Sequence, residues 1–215
     1  MENIAKKLCY SCGIDIGTKN LAMCFFSGQR MIGYRGDISY LNRYELDKPV
    51  QKICGDLQEE NISSKYQCLI SLLRKIPEFD NCFLINIEKQ LPLHNAEMLR
   101  IDGIIFGYLS TLSSCTKVQY ISSQTRSNYS ENILKKFEDC KKTIIKKKPS
   151  KEQKIAGIQI TGYFFPEFYE KLVETVEDEK LDDICDCVIY CLIDSQFDPL
   201  IDFSDGNIEK LLKKN

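Results

Sequence analysis

The segment CGIDIGTKN, residues 12–20, carries a single carboxylate, Asp15, inside an apolar run. A second apolar segment, LAMCFF, follows directly at residues 21–26, and the GTKN between the two is typical of a tight turn. The pattern predicts two adjacent antiparallel strands. An acidic side chain inside a buried strand costs free energy unless a positive group binds it. Asp15 is therefore a candidate ligand of a cation.

The same feature recurs in two further segments. Glu88 ends the apolar run of CFLINIEKQ, and Asp182, Asp183 and Asp186 open the otherwise apolar KLDDICDCVIYCLI. If these segments converge with Asp15 in the folded chain, their carboxylates form an oxygen-ligand site for Mg²⁺ or Mn²⁺. The sequence thus predicts a divalent-cation site built from three segments that are distant along the chain.

The three aspartates that open the last apolar segment have helical spacing. At about 100° per residue, Asp183 and Asp186 lie about 60° apart on a helix, and Asp182 and Asp186 about 40° apart. The helix dipole favours acidic residues in a first turn by only about 0.3–1 kcal/mol each, which is small beside the repulsion among clustered carboxylates. A divalent cation is the expected counter-charge. The alternative is that Asp182 caps the helix and its neighbours are solvated.

The order of periodic segments predicts an α/β fold with a mixed five-stranded sheet flanked by helices. A three-strand antiparallel meander is expected at 8–16, 21–27 and 30–38, with two parallel strands at 83–88 and 118–122. Helices are expected at 62–76, at 95–113, from Ser130 onward, from Pro149 and Ser150 to about residue 164, and from the aspartates to residue 193. The domain is expected to span 1–195, with 196–215 as a C-terminal tail.

The composition is that of an ordinary globular protein. Of 215 residues, 43% are apolar and 28% charged, no run approaches the roughly 20 apolar residues of a membrane span, and no signal peptide is visible. The 11 cysteines are odd in number and mostly lie in apolar runs, which favours reduced core thiols of a soluble intracellular protein. One alternative is a zinc site, in which Cys9 and Cys12 combine with Cys185 and Cys187.

The charge is unevenly distributed, although the net charge is only −2. Residues 135–154 hold nine lysines against three acidic residues, whereas residues 167–186 hold nine acidic residues against two lysines. Such a division suits an enzyme that binds an anion with one part and cations with another. Two solvated helix faces have the same signature. Charge alone leaves these two interpretations open.

Five motifs follow one another along the chain: GIDIGTKNLA (13–22), IEKQ (87–90), NAEMLRIDGIIFGYL (95–109), PSKEQK (149–154) and DDICD (182–186). In this order they resemble the motifs of the RuvC-type Holliday junction resolvases of the RNase H-like superfamily, and most closely those of the poxvirus branch. Each motif is common by itself, but the ordered set covers about residues 9–195. The lysine-rich insertion before Pro149 departs from the family pattern and blurs which lysine matches the family's active-site lysine.

The resemblance implies an RNase H-like sheet and a metal-dependent, structure-selective endodeoxyribonuclease. Such an enzyme resolves four-way (Holliday) DNA junctions by symmetric paired nicks, through two-metal phosphodiester hydrolysis. The implied cofactor is Mg²⁺, with Mn²⁺ as a substitute. The implied partners are branched DNA and a second copy of the chain, with no membrane and no small-molecule substrate. The implied site of action is that of viral DNA replication in the host cytoplasm.

The same resemblance implies roles for individual residues. The catalytic carboxylates and metal ligands would be Asp15, Glu88, Asp183 and Asp186, with Asp182 as a further metal ligand. The catalytic lysine matches Lys151, with Lys154 as the alternative. Contacts to the DNA backbone are expected from Arg126, Lys146, Lys147, Lys148 and Lys154. The apolar helices at 95–113 and 155–165 carry more hydrophobic positions than one buried face requires, so they are the expected dimer surface.

Other functions fit parts of the sequence. A nuclease of the same fold can act on another substrate, such as an RNA–DNA hybrid or a different branched DNA, and a non-catalytic module of the same fold can bind nucleic acid. Actin-like ATPases also begin with a D-x-G strand, but they need a second glycine-rich phosphate loop and a repeated domain. The 215 residues contain no second strand of that type. The nuclease interpretation therefore fits more of the chain.

Overall fold

The computed structural model describes residues 9–17, 20–28, 30–56, 62–90, 96–112, 116–143, 154–176 and 181–200. Its strands are β1 (Tyr10–Ile16), β2 (Leu21–Phe26), β3 (Met31–Asp37), β4 (Tyr40–Glu45), β5 (Gln51–Cys54), β6 (Cys82–Glu88) and β7 (Lys117–Ile121). They form one mixed sheet in the order β5-β4-β3-β2-β1-β6-β7. Neighbours from β5 to β1 are antiparallel, whereas β6 is parallel to both β1 and β7.

The expected mixed α/β class is confirmed, but the prediction of five strands is wrong, because seven pair in the described part of the chain. The two additional strands, β4 and β5, extend the antiparallel meander beyond β3. The β4 sequence YLNRYE gives no clear strand signal, because charged and polar residues interrupt its apolar positions. In the structure Arg43 of β4 donates to Glu78 at 2.7 Å. The buried charge of Arg43 is thus neutralised by Glu78, which is too distant along the chain for the local sequence to predict the pairing.

The helices that flank the sheet are α1 (Ile62–Arg74), α2 (Ala96–Ser110), α3 (Ser123–Lys136), α4 (Ile155–Phe164), α5 (Pro166–Thr175) and α6 (Leu181–Leu192). α3 begins before the predicted Ser130, because the Ser122 hydroxyl caps it by accepting from the Thr125 N–H at 3.0 Å. The predicted helix start at Pro149 and Ser150 lies outside the described residues. None of the described helices has the length and apolarity to span a membrane.

Each face of the sheet has its own apolar core. α1 and α2 cover one face, where alternate residues of β1 such as Ile14 and Ile16 are buried. α6 packs on the other face, together with α3, α4 and α5. α6 approaches β1 closely because Gly13 has no side chain: a Cβ there would collide with the Cys187 carbonyl oxygen and lie 2.6 Å from Tyr190 Cβ. This contact holds the second half of α6 directly against the strand that carries Asp15.

The described cysteines are free thiols, and most of them are buried, as the sequence predicts. Some make polar contacts in the core. The Cys191 thiol of α6 donates to the Cys24 carbonyl of β2 at 2.8 Å. The thiols therefore contribute to packing between α6 and the sheet.

The first residues of the predicted tail pack against the domain. The Phe197 ring lies 4.8 Å from that of Phe26, measured between centroids, and Tyr129 donates to the Asp198 carboxylate at 2.7 Å. Residues 201–215 lie outside the described part of the chain. The domain boundary at residue 195 stays a prediction, but the segment directly after it is attached to the core.

Candidate active site

Two carboxylates lie side by side on the face of the sheet that α6 covers. Side chains alternate between faces along a strand, so Gly13 and Asp15 of β1 share this face, as do Asn86 and Glu88 of β6. Gly13 pairs with Asn86 across the parallel strands. Asp15 and Glu88, two residues further along each strand, are therefore neighbours. Both are half-buried, and their carboxyl groups share a hydrogen bond.

Asn86 holds α6 against this part of the sheet. Its side-chain nitrogen donates to the carbonyl oxygens of Tyr190 and Ile193, each at 2.8 Å, and its side-chain oxygen accepts from Gln119 at 2.8 Å. The last carbonyls of a helix otherwise lack intrahelical partners. Because a buried side chain fixes this end of α6, the aspartates of its first turn have a defined position over the sheet.

The carboxylates of all three predicted segments meet at this place. Asp182 and Asp186 of α6 are buried, and Asp183 is partly exposed. Burial, the hydrogen bond with Glu88 and the negative charges of Glu88, Asp183 and Asp186 together raise the pKa of Asp15 well above its usual range. The charges of β6 and α6 thus act directly on the carboxyl group of β1. Acidic residues of the three predicted segments therefore lie near enough to influence one another.

Basic side chains pair with the aspartates of α6. Arg126 of α3 forms an ion pair with Asp186. Lys154, immediately before α4, pairs with Asp182 and lies 3.2 Å from the Asp183 carboxylate. α4 also comes close at Gly157, where a Cβ would lie 2.8 Å from Asp186 Oδ1. Two of the predicted basic residues are therefore part of the acidic site.

The ion pairs and burial act in opposite directions on the aspartates. Burial raises the pKa of Asp186 to about 6, although the charges of Arg126 and Lys154 lower it. Burial also lowers the pKa of Lys154, but the carboxylates of Asp182 and Asp183 more than offset this and raise it overall. The basic side chains carry full charge at neutral pH, and they offset part of the repulsion among the acidic groups.

Arg35 of β3 is a site residue that the sequence analysis missed. Its Nε lies 3.5 Å from Asp183 Oδ2. Arg35 pairs with Ala22, which in turn pairs with Asp15, so the three residues form one row across the sheet. The alternation in MIGYRGD could have indicated this position. Ile32 and Tyr34 are buried on one face of the sheet, so Arg35 lies on the opposite face, the face that carries Asp15.

The remaining predicted basic residues cannot be located. Lys146, Lys147, Lys148 and Lys151 lie outside the described part of the chain. Of the two lysines considered for the catalytic role, Lys154 contacts the acidic residues. The role of Lys151 stays a prediction.

The donor chemistry of the site fits a hard divalent cation, because every acidic residue in it offers carboxylate oxygens. Among the described residues, however, no group of three or more His, Cys, Asp and Glu side chains is arranged as a ligand set. The ion pairs account for this, since Arg126, Lys154 and Arg35 are directed at the aspartates. Asp15 and Glu88, in turn, are hydrogen-bonded to each other. Binding of a metal would require the aspartates to exchange these partners.

Comparison with known proteins finds similar folds but no similar sequence. No protein-family model matches the chain, and no curated protein sequence matches it. The yeast mitochondrial Holliday junction resolvase Ydc2 has 15% sequence identity, with a TM-score of 0.50 over 88% of this chain and 80% of that one. The chain therefore has a fold like that of this resolvase, a mixed α/β sheet flanked by helices, as the sequence motifs predict.

Two other solved structures match with lower scores. The fowlpox virus resolvase in complex with Holliday junction DNA has 18% identity and a TM-score of 0.44, over 90% of this chain and 99% of that one. The RuvC of T. thermophilus in complex with a Holliday junction substrate has 10% identity and a TM-score of 0.45, over 85% of this chain and 90% of that one.

Proposed function

We propose that the protein is a metal-dependent endodeoxyribonuclease that resolves four-way DNA junctions by symmetric paired nicks. One observation carries the proposal: carboxylates from β1, β6 and α6 converge on one face of a resolvase-like sheet, with basic side chains beside them. Several half-buried acidic residues rarely lie together at a site that has no function, because the repulsion between their carboxylates lowers the stability of the fold. Asp15, Glu88, Asp183 and Asp186 are the proposed metal ligands, with Asp182 beside them.

The charges at the site suit hydrolysis of a phosphodiester. Bound divalent cations would activate water and stabilise charge on the leaving oxygen. Arg126 and Lys154 are fixed cations that can neutralise phosphate oxygens as negative charge develops on them. The buried Nε of Arg126 has no hydrogen-bond partner in the described part of the chain, so one donor is left for a ligand. Lys151 remains the proposed catalytic lysine, with Lys154 as the alternative.

The test of this proposal compares three substrates under one condition. A labelled four-way junction, a plain duplex and an RNA–DNA hybrid are each incubated with the protein and Mg²⁺, with EDTA as the control. We expect paired nicks in the junction only, and only with Mg²⁺. Cleavage of the hybrid would favour an RNase H-like enzyme with a different substrate. Junction binding without cleavage of any substrate would favour a non-catalytic module of this fold.

The basic segment before α4 supports a prediction about DNA affinity. Replacement of Lys146, Lys147 and Lys148 by alanine should weaken junction binding and reduce the slope of log K against log salt by about 2–3, because each phosphate contact releases close to one counterion. Electrophoretic mobility shifts at several salt concentrations measure both. Lys65→Ala, on α1, is the matched control and should leave the slope unchanged. An unchanged slope in the triple variant would mean that this segment is a solvated face.

A homodimer is the proposed assembly, since a four-way junction offers two equivalent strands to a twofold-symmetric enzyme. Two helices were predicted to form the dimer interface. One of them, α4, is largely buried within its own chain, where it packs on α6, α5 and α3. Among the described residues, α2 keeps an open face: no described atom lies within 4 Å of a Cβ added at Gly103 or Gly107, and Leu99 is 40% exposed. The described structure therefore favours α2 alone as the contact.

The dimer proposal predicts a mass and a variant that changes it. Light scattering should report about twice the 24.9 kDa chain mass. Leu99→Glu should convert the protein to a monomer, because two like charges would meet across the twofold axis. Leu46→Glu is the control, since Leu46 is 37% exposed but lies beyond β4. A wild-type monomer that still makes paired nicks would contradict the proposed assembly.

A further inference from the structure

Tyr190 is a buried side chain that the proposed mechanism does not use. It follows Asp182 and Asp186 on α6 at intervals of four residues, so the three side chains lie along one side of the helix. Tyr190 is fully buried, and its hydroxyl group has no hydrogen-bond partner in the described part of the chain. A buried hydroxyl without an acceptor costs free energy, so its presence calls for an explanation.

Tyr190 lies next to the strands that carry the acidic site. The Tyr190 Cβ packs directly over Gly13, and the Tyr190 carbonyl accepts from Asn86, so the residue stands over the paired positions that precede Asp15 and Glu88. After burial, the charge of Glu88 has the largest effect in raising the pKa of Tyr190. Arg126, Asp15 and Asp186 are the other charged groups that act on it. Tyr190 is therefore buried beside the strand positions that lead to Asp15 and Glu88.

We propose that Tyr190 is a positioning residue of the acidic site, whose hydroxyl group donates a hydrogen bond to the Glu88 carboxylate once that carboxylate binds a divalent cation. In the structure Glu88 is hydrogen-bonded to Asp15 instead. If Asp15 and Glu88 held a divalent cation, their mutual hydrogen bond would be lost, and a carboxylate oxygen of Glu88 would be available to accept from Tyr190. A donor held rigidly in the core then restricts the orientation of Glu88, as partners of metal-ligating carboxylates do.

Other buried tyrosines show what a purely structural hydroxyl looks like here. Tyr34 donates to Glu78 and Tyr129 donates to Asp198, each at 2.7 Å, and both acceptors are buried side chains that the site does not include. For packing alone, a phenylalanine would fill the place of Tyr190 without an unpaired hydroxyl. Tyr190 differs from both, because its buried hydroxyl has no acceptor among the described residues and charged groups of the site lie nearby.

The inference rests on the proposed function, and Tyr190→Phe tests it with two readouts other than activity. The first is the melting temperature in EDTA, which we expect to stay equal or rise, because the variant loses a hydroxyl that has no partner. The second is the affinity for Mn²⁺, measured by electron paramagnetic resonance, for which we expect the dissociation constant to rise about tenfold. Tyr129→Phe is the matched control: it should melt at a lower temperature and bind Mn²⁺ as the wild type does.

A double-mutant cycle ties the effect to Glu88. In a Glu88→Gln background, Tyr190→Phe should change the Mn²⁺ affinity no further, because the acceptor charge is already gone. Unchanged Mn²⁺ affinity in Tyr190→Phe, or an equal additional loss in the Glu88→Gln background, would overturn the role of Tyr190 while leaving the proposed function intact. If the wild-type protein binds no Mn²⁺, the proposed metal site and this inference both fail.

Discussion

Asp15→Asn is expected to lower the rate of junction cleavage at least about 1,000-fold, because the loss of a proposed metal ligand would remove several kcal/mol of transition-state stabilisation. The variant should still fold, since asparagine has nearly the same shape and keeps a hydrogen-bonding partner for Glu88. Its melting temperature should stay equal or rise, because the substitution removes an acidic group from a crowded acidic site. Single-turnover cleavage of a labelled junction with Mg²⁺ measures the rate, and calorimetry measures the stability.

The matched control is Asp56→Asn, which removes an exposed aspartate paired with Lys75 after β5. Asp56 is 69% exposed and takes no part in the acidic site. This variant should cleave at the wild-type rate. Binding of the junction in EDTA should be unaffected in both variants, since phosphate contacts come from basic side chains. Wild-type cleavage by Asp15→Asn would remove the central element of the proposed mechanism.

Gly13→Ala is expected to destabilise the protein by about 3 kcal/mol or more, which is at the upper end of the effects of single substitutions. The added Cβ would collide with the Cys187 carbonyl oxygen and come within 2.9 Å of the Cys191 nitrogen, both of which belong to the backbone of α6. Backbone atoms of a packed helix cannot move independently, so α6 must shift as a whole. Because α6 carries Asp182, Asp183 and Asp186, the same shift should also impair cleavage.

Gly103→Ala serves as the control for this second variant. Gly103 lies on the face of α2 that is the proposed dimer contact, so this comparison is made in the monomeric Leu99→Glu background. Within one chain, an added Cβ at Gly103 meets no described atom within 4 Å. Since glycine in a helix costs roughly 0.5–1 kcal/mol relative to alanine, this variant should be slightly more stable than Leu99→Glu alone. Urea unfolding at 25 °C measures both substitutions. Equal stability of Gly13→Ala and the wild type would mean that α6 is not held against β1 as closely as described.

The local pattern of the sequence was sufficient to identify the acidic residues. Asp15, Glu88 and the aspartates near residue 183 each interrupt an apolar run, and such a charge is visible without knowledge of its neighbours. The order of β1, β2, β3, β6 and β7 was also predictable, because hydrophobic periodicity is a property of short segments. The mixed α/β class and the resolvase-like fold followed from that order together with the motifs.

Features that depend on contacts between distant segments could not be obtained in this way. β4 was missed because Arg43 becomes acceptable in a buried strand only when paired with Glu78. Arg35 joins the site only because β3, β2 and β1 place it in the same row as Asp15.

The sequence also could not predict which helix faces remain exposed in the folded chain. α2 and α4 are both rich in apolar residues, but α6, α5 and α3 pack on α4, whereas one side of α2 stays open in the described part of the chain. The sequence determined which segments bury apolar surface and which charges stand out within them, because both depend on residues close along the chain. Only the tertiary structure decided which basic side chains meet those charges and which apolar faces remain exposed, because both depend on segments that are far apart until the chain folds.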